Sequence, residues 1–119
     1  MQVESSLNIQ QKLLEISMGD YKMESRLAGL YYKSFQDLKD LFAVSLIKQD
    51  EKLLSFIRHK YGATFQMLQL PKLAREIDEG VEILTTTLSE EAISTSIDKV
   101  KSQCDRILAQ LIFYYPWLS

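Results

Sequence analysis

Cysteine, proline, glycine and histidine are all scarce in this chain. Its one cysteine, Cys104, can form no disulfide within the chain, which excludes a disulfide scaffold and suits a reducing compartment. Four Gly and two Pro among 119 residues put the breakers at about 5%, against a usual share of about 12%. That leaves little room for the turns of a sandwich or barrel and favours an all-α domain. Neither charge sign dominates: 14 basic residues against 16 acidic ones, net -2, leave no basic footprint for nucleic acid. No run of about 18 apolar residues is present, so no membrane span is expected. Residues 1–20 carry Glu4, Gln10, Gln11 and Glu15 but no long apolar core, unlike a typical signal peptide. The cytoplasm is the expected compartment. No second His or Cys stands at ligand spacing and no Glu-x-x-His pair occurs, so neither a metal nor any other cofactor is expected.

What is present reads as one globular domain over residues 1–119. Hydrophobic residues make up 46% and charged residues 25%, and a chain of this length buries roughly two-thirds of its unfolded surface without a staple. Caps and breakers divide it into five helices. The first runs from about Ser6 to Met18 and stops at Gly19. The second follows an Asp20 N-cap, from about Tyr21 to Lys48, with Leu27, Leu30, Tyr31, Phe35, Leu38, Leu41, Phe42 and Leu46 at steps of three and four. At about 1.5 Å per residue it would span about 42 Å, which calls for an elongated bundle. Asp50 caps a third helix ending near Gln69, and Pro71 opens a fourth that ends near Leu88. Ser89 caps a fifth, with Glu90 and Glu91 suited to the helix dipole, and Pro116 stops it after Tyr115. Connections this short make successive helices antiparallel neighbours. The expected fold is an up-down four-helix bundle with the short first helix as a cap.

His59, the only histidine, falls in the middle of the third helix. At about 100° per residue, Leu53, Leu54, Ile57, Tyr61, Phe65 and Leu68 form one stripe, and His59 stands nearly opposite it. An exposed helical histidine is by itself an ordinary surface residue. Its neighbours on that face are less ordinary: Ser55, Gly62 and Ala63 are small, Phe56 adds apolar surface, and Gln66 completes the face. Gly62 costs about 1 kcal/mol in a helix interior relative to Ala. The arrangement leaves the ring open to a large partner. An unperturbed imidazole pKa near ~6.5 leaves a neutral nucleophilic nitrogen at neutral pH that needs no activating base. In-line phosphoryl transfer suits such a group.

These features resemble the histidine-containing phosphotransfer (HPt) family over roughly residues 7–111. Gly19-Asp20 is similar to the family's Gly-Asp between the short first helix and the long second one, and Asp50 to the acidic start of its histidine helix. Residues His59 to Leu68 resemble its active-site stretch, and Leu68, Leu70 and Leu73 keep its hydrophobic spacing. The resemblance implies a small helical bundle in which His59 relays a phosphoryl group between receiver-domain aspartates of response regulators. A hybrid sensor kinase is a further partner it implies. The chain departs from the family where a Lys often follows the histidine by three residues and a Gly by four: Gly62 and Ala63 stand there. Lys60 and Gln66 are then the expected phosphate contacts, and Ser55, Phe56, Gly62 and Ala63 the expected docking surface. A monomer is expected. The alternative is an HPt-like adaptor that is not phosphorylated and binds a receiver or another helical partner through the same face. Outside this site, Cys104 reads as a packing thiol, and Glu76, Asp78 and Glu79 as a solvated face. Phe113 to Trp117 read as an aromatic run packed on the bundle end, with a partner-binding tail as the alternative.

Overall fold

The computed structural model describes residues 8–86 and 89–119. All regular structure among them is helical: α1 (Ile9–Ser17), α2 (Tyr21–Ile47), α3 (Glu51–Met67), α4 (Pro71–Thr86), α5 (Glu90–Tyr114) and a closing 3-10 turn (Pro116–Leu118). Side-chain caps start four of the five. Asp20 accepts from the Met23 N–H at 3.2 Å, Asp50 from Leu53 at 3.0 Å and Ser89 from Ala92 at 3.2 Å. The cap of α1 is Asn8, which accepts from Gln11 at 3.1 Å, so this helix starts later than the sequence reading places it; Ser6 and Leu7 lie outside the described residues. Thr87 and Leu88, the expected end of α4, also lie outside them.

The helix ends are less legible than the starts. Gly19 has the expected positive φ of 81°, but Met18 before it also enters the left-handed region, at 53°. Gln49 (φ 53°) and Gln69 (φ 56°) do the same after α2 and α3. Each reversal lets the next N–H reach back to an orphan carbonyl, Asp50 to Ser45 at 2.8 Å and Leu70 to Phe65 at 2.8 Å. Glutamine is not the residue that this backbone prefers, so neither stop announces itself in the sequence.

The helices form a bundle around one hydrophobic core. α2 packs on α5 and α3, α3 on α4, α4 on α5, and α1 leans on α2 and α5. The molecule measures 46 × 29 × 24 Å, as elongated as its long second helix requires. Phe35, Leu38, Phe42 and Leu46 of α2, Leu54 and Ile57 of α3, Leu73 and Ile77 of α4, and Val100, Cys104 and Leu111 of α5 are almost wholly buried. Leu30 departs from its expected place in the α2 stripe and is exposed. Glu76 departs from the expected solvated face: it is buried, with Lys72 Nζ 3.9 Å away one turn earlier. The aromatic run divides. Tyr115 is buried and donates to Glu24 at 2.7 Å, the Trp117 ring lies over Gly29, and Phe113 is exposed.

Among the described residues no helix is long and apolar enough to cross a membrane.

Candidate functional site

α3 owes its orientation to the stripe Leu54, Ile57, Tyr61 and Phe65, all buried against the neighbouring helices. Two of its rings, Tyr61 and Phe65, stack with centroids 6.4 Å apart. With that stripe inward, regular helical geometry turns His59 outward, and it is exposed. Ser55, Phe56, Lys60, Ala63 and Gln66 are exposed with it, and Gly62 is half-buried.

These residues do not form one face around the histidine; they divide into two. At about 100° per residue, Ser55, Arg58, Gly62 and Gln66 lie between about 20° and 100° to one side of His59. Phe56, Lys60 and Ala63 lie between about 40° and 100° to the other. On the first side α3 meets α4, and a groove of about 720 Å³ opens between them. Ser55, Arg58, His59, Gly62 and Gln66 form its α3 wall, and Pro71, Ala74 and Asp78 its α4 wall. Phe65, Leu70 and Ile77, whose side chains are mostly withdrawn into the core, floor it. The imidazole therefore stands at the rim of an apolar groove rather than on a flat surface.

On the second side Lys60 is engaged by its own helix. Its Nζ lies 5.7 Å from the centroid of the Phe56 ring and 5.4 Å from that of Tyr61, the range of cation–π attraction. Phe56, expected as docking surface, thus carries a cation over its ring. Gln66 lies on the groove side, but seven residues on, about 10 Å along the axis.

Two contributions escaped the sequence reading. The α4 wall could not be assigned to the site without knowing how α4 packs. Arg58 adjoins His59 in the sequence, and its Nε donates to Asp78 Oδ1 at 2.9 Å, linking the two walls. The pair is about half-exposed on both sides, 50% and 58%. Asp78 reads from sequence as a solvated carboxylate; in the fold it is also the α4 end of this link.

Among the described residues no three of His, Cys, Asp and Glu come together as metal ligands. Cys104, inside the core, has its thiol pushed up to about 12 by burial, far from a reactive thiolate. The ionisable side chains at the groove are the exposed His59 imidazole and the Arg58 guanidinium with its partner carboxylate, Asp78. Comparison of the chain with models of known families, with curated proteins and with solved structures gives no match.

Proposed function

We propose that this chain is a histidine phosphotransfer module of the HPt kind, with α2 to α5 forming an up-down four-helix bundle and α1 capping it. His59 accepts a phosphoryl group from the aspartyl phosphate of one receiver domain and passes it to the aspartate of another. A neutral ring nitrogen attacks phosphorus in line, the bond to the aspartyl oxygen breaks, and the carboxylate leaves. The other ring nitrogen gives up its proton as the product relaxes to the neutral ring. The receiver brings the metal ion and most of the electrostatic stabilisation, so the chain needs no catalytic cycle of its own. It works as a cytoplasmic monomer, and its receiver seats itself over Ser55 and Gly62 on one flank of His59 and Phe56 and Ala63 on the other; of the expected phosphate contacts, Gln66 lies on the groove side, whereas Lys60 lies over the Phe56 and Tyr61 rings.

One observation carries this reading: the only imidazole of the chain stands exposed at the rim of an apolar groove, with the small Ser55, Gly62 and Ala63 among its neighbours. Mixing the protein with a phosphorylated receiver tests it. Acid-labile label is expected on the wild type and not on His59→Gln. Absence of label from the wild type across a panel of phospho-receivers would sink the proposal.

A second reading has its own support. Gly62 stands where the family often carries lysine, and Lys60 lies over the Phe56 and Tyr61 rings. An adaptor that binds a receiver without being phosphorylated needs neither cation. It predicts receiver binding without label, unchanged by His59→Gln.

A further inference from the structure

The phosphotransfer reading leaves a charge unaccounted for. A phosphoryl group brings up to about two negative charges and three acceptor oxygens, and it needs a cation within reach. The position that often supplies one is Gly62, which has no side chain. Lys60 points the other way round the helix and is held over two rings.

Gly62 lies three residues after His59 and four after Arg58, so it sits one turn above both. Side chains on a helix lean towards its N-terminus, and one at position 62 would lie over the ground between the imidazole and the guanidinium. A Cβ placed on Gly62 would find nothing within 4 Å: the space is open. Arg58 borders that space from the same groove wall. Its present partner, Asp78, holds it through an ion pair about half-exposed on each side, a kind that contributes little and exchanges readily. A phosphoryl dianion is a stronger partner for guanidinium than one carboxylate, and it accepts the same forked geometry.

We propose that Arg58 holds the phosphoryl group on His59, giving up Asp78 for it across the opening that Gly62 leaves. The inference rests on the phosphotransfer reading and adds to it a phosphate-binding residue and a consequence. Phosphorylation breaks the Arg58–Asp78 link between α3 and α4 and leaves the groove bordered by a free Asp78 carboxylate. Loading and unloading of His59 are thereby signalled to α4, a wall of the same groove.

The test loads His59 without a receiver, using phosphoramidate. The ring nitrogen attacks its phosphorus, the P–N bond breaks and ammonia leaves. The ionisation of the resulting phosphohistidine is then followed by ³¹P NMR against pH. A nearby cation favours the dianion and lowers its titration midpoint. The wild-type midpoint is expected about half a pH unit or more below that of Arg58→Gln. Arg58→Lys should recover part of the difference. Asp78→Asn, which frees the guanidinium, should leave the midpoint at the wild-type position or lower. If Arg58 only ties α3 to α4, Arg58→Gln and Asp78→Asn break the same tie and move the midpoint alike, and the proposal is wrong. Coincident midpoints for wild type and Arg58→Gln overturn it equally. Failure of the wild type to take up phosphate, with His59→Gln as the blank, removes the phosphotransfer reading itself and this inference with it. Both altered side chains are solvent-facing, and circular dichroism checks that the variants keep the fold.

Discussion

Gly62 and Gly80 stand on adjacent helices, and alanine should have opposite effects at the two. A Cβ at Gly80 would lie 2.9 Å from both Cε1 and Cζ of the fully buried Phe42 ring, so this glycine is what lets α4 approach α2. Forcing the ring aside costs about 1–3 kcal/mol, more than the gain in helix propensity offsets. Gly80→Ala should therefore lower stability, by up to about 2 kcal/mol net of the propensity gain. At Gly62 the space is open, and alanine should raise stability by about 0.5–1 kcal/mol by stiffening the helix. Urea titrations of the two variants check the pair; midpoints moving in the same direction would contradict the packing described around Phe42. Helix propensity alone treats the two glycines as equals. Both lie in helix interiors, and only the position of the Phe42 ring tells them apart.

At the scale of the element, α3 is the helix on which both stability and the candidate site depend. Its start is fixed by Asp50, whose carboxylate accepts the Leu53 N–H at 3.0 Å. Asp50→Ala should cost about 1 kcal/mol, read as a shift in the urea midpoint with an unchanged slope. Ala63 lies on the flank of α3 away from the groove and is exposed, so Ala63→Arg should leave the helical circular dichroism as it is. Under the proposed function it should block transfer from a phospho-receiver; full transfer by this variant would place the receiver elsewhere, on the groove side alone. The pairing of α2 with α5 has a different character. Asp105 accepts from Lys101 at 2.8 Å and from Lys39 at 2.6 Å, and these two bonds hold its carboxyl below the ordinary carboxylate range. The group is substantially exposed, so this network directs how the two helices meet more than it stabilises them.

For the molecule as a whole, the core sets how stability depends on pH. Burial pushes the Cys104 thiol up to about 12, and burial with the hydrogen bond to Glu24 raises the Tyr115 phenol further. Tyr31 and Tyr61 are raised as well, in each case chiefly by burial. All four groups are protonated in the folded and unfolded chains at neutral pH. Above the ordinary thiol and phenol values, about 8.5 and 10, the unfolded chain releases protons that the folded one retains. From neutral pH stability should therefore be level up to about pH 8 and fall as the pH rises through 9 and 10. Urea midpoints at pH 7.5 and pH 10 measure this, and Cys104→Ala should show the smaller fall. Equal midpoints at the two pH values would mean that these groups are more accessible than their burial indicates.

Helix identity, the capped starts at Asp20, Asp50 and Ser89, and the outward turn of His59 were determined by sequence alone. Caps act within a few residues, and a 3.6-residue period fixes which side of a helix a residue takes once its apolar stripe is known. The left-handed stops at Gln49 and Gln69 are local, each held by a backbone bond back into its own helix, but glutamine does not signal them. The burial of Glu76, the close approach at Gly80 and the groove beside His59 belong to the tertiary structure and depend on what a neighbouring helix brings to the same place: α4 makes a wall for α3, and Asp78 reaches Arg58 across twenty residues of chain. A periodic pattern carries the direction in which a side chain points, but not the distance or chemistry of what it meets there.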